Sequence, residues 1–191
     1  MKLVSNAILI IMLILISGCS SKSIVLKDAP KEGIHAQGIN ILYRTFPLAA
    51  PTDVKKLSAL TAPTHPQIER LGKDIEKRMP LDFKNKGLHS NFATLNVPGI
   101  AMTSKKDLCP PSFSKNYYTL IITPVREHVF CYQTCSTTYT VLLSLKTPNE
   151  DKEVWDLMLI QSKMSASDIM PFKNYQFIND MANAVLNVVH N

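Results

Sequence analysis

The side chains best suited to chemistry here are four cysteines, at positions 19, 109, 131 and 135, and five histidines, at 35, 65, 89, 128 and 190. Thiolates and imidazoles serve as nucleophiles, redox groups and metal ligands, and spacing decides among these roles. No histidine pair has the His-x-x-x-His or His-Glu-x-x-His spacing that a helix-borne zinc site needs. Cys131 and Cys135, with His128 nearby, could clip a metal, but a cysteine pair in an exported chain is more often a disulfide. A Gly-x-Ser-x-Gly elbow is absent, and the six glycines are too scattered for a phosphate-cradling loop. Glu150, Asp151 and Glu153 follow Pro148 and Asn149 in a turn, and nothing around them marks a desolvated acid beside an ionised partner. The chain is therefore expected to carry no catalytic residue, no metal and no cofactor, and not to be an enzyme.

The amino terminus carries the strongest signal. Lys2 precedes an unbroken apolar run of ten residues, Ala7 to Ile16, followed by Ser17-Gly18-Cys19-Ser20. A spanning helix needs roughly 20 apolar residues, so a run this short suits the core of a secretory signal. Ile16-Ser17-Gly18-Cys19 resembles the lipobox of bacterial lipoproteins, in which an aliphatic and two small residues precede a cysteine. The resemblance implies cleavage after residue 18, acylation of the Cys19 thiol and a mature chain that begins at Cys19. Two or three acyl chains anchor stably where one does not. In that family an Asp after the cysteine retains the protein at the inner membrane, so Ser20 implies an outer-membrane location facing the periplasm.

Cleavage leaves 173 of the 191 residues, enough for one domain. It removes one of the 21 basic residues and none of the 15 acidic ones, leaving a formal charge of +5. That charge is spread along the chain, as on a solvated surface, although it also suits anionic headgroups, lipopolysaccharide phosphates or acidic proteins. Nucleic acid is not an expected partner in the envelope. The expected partners are the membrane, through the lipid, and an envelope protein; the oligomeric state is left open.

An oxidising compartment predicts one disulfide among Cys109, Cys131 and Cys135. A straight strand would hold Cys131 and Cys135 about 13 Å apart, so bridging them requires a tight turn at residues 132–134. Such a hairpin would set Val125 opposite Val141 and Ile121 opposite Leu145. Chain entropy alone favours a bridge to Cys109, about 3.5 against 2 kcal/mol, so the lean to Cys131 and Cys135 rests on register.

Residues 19–35 are polar and are expected to form a flexible tether reaching on the order of 20–25 Å, with a single domain over 36–191. A first strand is predicted over 38–46, and a short helix over 53–60 within a proline-rich connection. Ile68, Leu71, Ile75 and Met79 form an apolar stripe that predicts a helix from Pro66 to Met79, with Thr64 and Gln67 as a capping box and Pro80 as its end. Glu69 with Lys73 and Asp74 with Arg78 read as its solvated face. Ile100 to Thr103 could be a strand, and residues 117–123, 137–145 and 154–160 read as strands, with Trp155 in the core. Ile178, Met181, Val185 and Val189 predict a closing helix.

This order predicts an α+β domain, a mostly antiparallel sheet with helices packed on one face. Over about residues 36–190 it loosely resembles periplasmic accessory lipoproteins, such as auxiliary components of envelope ABC transporters and activators of cell-wall synthases. The resemblance implies a non-enzymatic accessory or adaptor subunit that binds through a sheet edge or a helix face. The alternative is a small carrier or sensor of lipid or glycan, with Phe172, Tyr175 and Phe177 lining its pocket.

Overall fold

The computed structural model describes residues 20–45, 65–95, 110–131, 135–148, 152–165 and 175–190. Cys19, Cys109, the Thr64 cap, the 53–60 helix and the Ile100 to Thr103 strand lie outside them.

The described chain folds in the order β1 (Ser20–Lys27), β2 (Ile34–His35), β3 (Gly38–Arg44), α1 (His65–Lys84), β4 (His89–Leu95), β5 (Tyr118–Cys131), β6 (Cys135–Lys146), β7 (Glu153–Ser165), α2 (Tyr175–Leu186) and β8 (Val189–His190). Six strands form one sheet in the order β1-β7-β6-β5-β3-β4, and β2 pairs with β8 in a separate two-stranded sheet. The large sheet is antiparallel from β1 to β5 and parallel where β3 meets β5 and β4. Parallel neighbours need a long crossover, and between β3 and β4 that crossover includes α1. The domain is α+β, as its pattern of elements predicts.

β3 is buried on both faces because both are covered. Ile39, Ile41 and Tyr43 join the main core with Ile68, Leu71, Ile75, Met79 and Phe83 of α1 and Phe177, Ile178, Met181 and Val185 of α2. Leu42, on the other face, packs with Ile121, Leu95 and Phe113. Phe113 belongs to the segment before β5, which is fixed by a buried amide. Asn40 donates from Nδ2 to the Ser114 carbonyl (2.7 Å), while its Oδ1 accepts from the Ser114 amide (3.1 Å) and from Asn91 Nδ2 (3.0 Å). Tyr43 donates its hydroxyl to the Ile68 carbonyl at 2.8 Å, and burial pushes its phenol above its ordinary pKa.

Four expectations need correction. The 19–35 stretch is not a flexible tether throughout, because Ser20 to Lys27 is a strand hydrogen-bonded to β7. Pro80 does not end the helix, which runs on to Lys84. A proline costs roughly 3 kcal/mol inside a helix, partly through one missing N–H bond. Here the last turn is held by buried Phe83 and by a Schellman cap at Gly87, whose φ of 80° suits glycine. In that cap Leu88 N–H reaches the Phe83 carbonyl and Gly87 N–H the Lys84 carbonyl, both at 3.0 Å. The closing helix stops at Leu186, and Val189 enters the core from β8 instead.

The fourth correction concerns the β5–β6 register. Cys131 opposes Cys135 and Arg126 opposes Thr140 as expected, but a bulge between Pro124 and Arg126 then shifts the pairing by one. Pro124 opposes Val141, and Leu120, not Ile121, opposes Leu145. Proline donates no ladder bond and is tolerated in a sheet at bulges. The shift puts Leu120, Ile122, Val141, Leu143 and Leu145 together in the helix-covered core, and Ile121 with Leu42 on the opposite face.

Candidate interaction surface at the sheet edge

β1 is an outer strand of the large sheet, and among the described residues it pairs only with β7. Its register is Ser21 opposite Gln161, Ser23 opposite Leu159, Ile24 opposite Met158, Val25 opposite Leu157 and Lys27 opposite Asp156. A bulge between Val25 and Lys27 takes Leu26 out of the ladder. Side chains alternate across a strand, so Val25 shares the helix-side face with Leu157 and Ile24 the opposite face with Met158. Ile24 is 38% exposed, Val25 53% and Leu26 54%, which makes three consecutive large apolar residues open to solvent on one edge. A sheet edge also presents unpaired backbone donors and acceptors, and proteins usually protect such edges with charge. Lys22 and Lys27 bracket the apolar triplet here.

Both ends of β1 are fastened. Ser21 donates its hydroxyl to the Asp180 carboxylate on α2, and Lys27 donates its ammonium to the Glu153 carbonyl at the start of β7. Asp180 also accepts from Gln176 Nε2 at 3.0 Å, one turn earlier on α2.

Beneath Lys27 the structure pairs two carboxyls that spacing alone does not bring together. Glu153 and Asp156 are an odd number of residues apart, so a regular strand would point them to opposite faces. The register shift that matches Lys146 with Glu153 and Leu145 with Trp155 leaves Val154 as the extra residue, and Glu153 hydrogen-bonds Asp156. That bond pushes the Glu153 carboxyl up, helped by desolvation and by the Asp156 charge and opposed by Lys27 and Lys146. Two carboxyls in direct contact leave no room for the scissile bond of a glycosidase, whose acids stand about 5 Å or more apart. Asp156 Oδ1 and, on the other face of β7, Gln161 Nε2 are buried without a hydrogen-bond partner. Sequence reading named Glu153 but missed Asp156, because the bulge that joins them leaves no mark in the residue pattern.

The remaining candidates scatter. Cys131 and Cys135 close the β5–β6 hairpin as directly opposed residues, and only their backbone is described. Tyr175 stands at the start of α2 with the Arg78 guanidinium 3.2 Å from its ring centroid. Phe177 is wholly buried, its ring 6.5 Å from that of Tyr139. Phe172 lies outside the described residues. Tyr175 thus makes a contact with α1, and Phe177 belongs to the core. No group of three or more metal-ligating side chains occurs among the described residues, and none of their helices is long and apolar enough to cross a membrane.

Fold and edge together define an α+β domain with an open apolar strand at its amino-terminal end. Several solved structures are similar to the chain at low identity. PelC from Paraburkholderia phytofirmans, solved as a dodecamer, is 13% identical over 89% of this chain and 94% of that one, with a TM-score of 0.45. Protein XCC0632 from Xanthomonas campestris is 10% identical over 84% and 87%, with a TM-score of 0.42. Lipoprotein GNA1162 from Neisseria meningitidis is 15% identical over 78% and 96%, with a TM-score of 0.36. No protein-family model and no curated protein matches the chain.

Proposed function

We propose that this chain is an accessory lipoprotein of the bacterial envelope, anchored at the outer membrane by acylated Cys19, which binds a protein partner by strand addition at β1 and turns over no substrate. The observation that carries this reading is position: the open, apolar edge strand begins at Ser20, immediately after the lipobox cysteine. At a strand's rise, Leu26 lies at most about 23 Å along the chain from Cys19, so a partner docked on β1 is held close to the bilayer. A partner strand would satisfy the free backbone groups of β1 and cover Ile24, Val25 and Leu26. Full burial of such side chains contributes roughly 1.5–3 kcal/mol each, and they are already about half buried, so the three together supply a few kcal/mol.

The full-length protein, crosslinked in intact envelopes and purified, tests this. One protein should co-purify with the wild type. Its yield should fall at least about tenfold in the Val25→Thr, Leu26→Thr double variant, a change of about 1.4 kcal/mol or more. A Lys73→Glu variant, altered on the solvent side of α1, should retain it. Cys19→Ala should accumulate as an unlipidated precursor, read by mass spectrometry of the amino terminus. Undiminished capture by the double variant contradicts the β1 assignment. Saturable turnover of an ester, peptide or glycan, lost on replacing one ionisable residue, would identify the chain as an enzyme.

A further inference from the structure

At the end of the domain where α1 turns into β4, two adjoining clefts share Gly87 and His89. The larger, about 690 Å³, is lined by residues that include His35, Gln37 and Tyr117. The smaller, about 330 Å³, adds Lys84 and Ser90. Among the described residues no lining side chain is acidic, whereas Lys84 brings a positive charge and the remaining polar groups are imidazoles, an amide and hydroxyls able to hydrogen-bond. The C-terminal end of a helix ordinarily repels anions through its open carbonyls. At α1 the carbonyls of Leu81, Phe83 and Lys84 are already occupied, accepting from the amides of residues 85–88.

The aromatic wall of the groove is held in place from behind. Tyr117 N–H donates to the Ser114 carbonyl (3.3 Å), and Ser114 is the residue clamped by Asn40. The Tyr117 ring lies against the backbone of Gly38 so closely that a β-carbon there would come within 2.5 Å of Cε2. The ring is therefore a fixed platform, and the strand residue beneath it has no side chain to lift it.

We propose that this groove binds an acidic saccharide, its sugar face against Tyr117 and its carboxylate or phosphate toward Lys84 and His89. A flat ring beside a groove rich in donors and, among the described residues, free of carboxylates fits a hydroxyl-bearing anion, and the combined volume fits a ligand of a few sugar units. The site lies on different elements from the β1 edge, so the two assignments stand or fall separately.

Titration of the full-length protein in detergent micelles, followed by NMR of histidine and tyrosine ring signals, tests the assignment. Hexagalacturonate should saturate the shifts of His89 and Tyr117, and maltohexaose, its neutral counterpart, should not. Lys84→Glu, a substitution on an exposed side chain, should weaken hexagalacturonate at least about tenfold. Gly38→Ala should weaken it by displacing the Tyr117 platform, with Lys84 and both histidines unchanged. Absence of saturable shifts, equal binding of the neutral oligosaccharide, displacement by equimolar inorganic phosphate, or unchanged affinity in Lys84→Glu would each overturn the proposal.

Discussion

The two halves of the large sheet are finished to different degrees. At β3 and the start of β5 both faces are covered, by the helices on one side and the Phe113 segment on the other, and the buried Asn40 side chain has its partners. Around β1 and β7 an edge stays open, three apolar side chains meet solvent, and Asp156 and Gln161 each bury an unpaired polar atom. Buried unsatisfied groups cost free energy, and apolar edges invite association. The first half is thus closed on itself, whereas the second keeps open the surface that suits the partner contact proposed above.

Mutations should separate the halves. Phe83→Ala empties a wholly buried site and should cost about 3–5 kcal/mol in denaturant unfolding. Asn40→Ala leaves the Ser114 amide and Asn91 Nδ2 without their acceptor and should cost about 2 kcal/mol. Val25→Thr with Leu26→Thr should shift stability by no more than about 0.5 kcal/mol each while removing partner capture. If the β1 pair destabilised the domain as much as Phe83→Ala, the edge would be core and the contrast would fail.

A disulfide sharpens the same contrast. Directly opposed residues of an antiparallel pair hold their Cα atoms about 4.5–5.5 Å apart, within bonding range, so peptide mapping without reduction should recover Cys131 joined to Cys135. Reduction should then cost about 2 kcal/mol, as expected for so short a loop. Three free thiols, or a bridge to Cys109, would refute the pairing.

The smallest expected effect is a pH dependence at the edge half. Glu153 is held above its ordinary carboxyl value chiefly by its hydrogen bond to Asp156, so the folded state prefers it protonated. The stability this adds is fully present below the ordinary glutamate value of 4.5 and is lost as pH rises through the raised one. Glu153→Gln should flatten that part of the stability–pH curve. An unchanged curve would mean that the carboxyl pair is uncoupled from folding.

The sequence spells out most of the finished half and little of the open one. Ile68, Leu71, Ile75 and Met79 announce α1 because one helix face is buried along its length, and Trp155 reads as core because its strand alternates. β1 has no such mark, since Ser20 to Lys27 begins as a polar run and becomes a strand only by pairing with β7. β4 is hidden for a related reason: from His89 to Thr94 its side chains are exposed or half-buried, so no alternation shows. The bulges near Val125 and Val154 are equally silent, yet they decide which residues of β5 face the core and bring Glu153 to Asp156.

Site-specific photocrosslinking in intact envelopes tests the central claim most directly, with a photoreactive side chain at position 25 on β1 or at position 73 on the solvent side of α1. One discrete protein adduct is expected from position 25, dependent on an intact Cys19, and none from position 73. Equal adducts from both positions, or none from position 25 in a correctly lipidated protein, would contradict a partner site at the β1 edge.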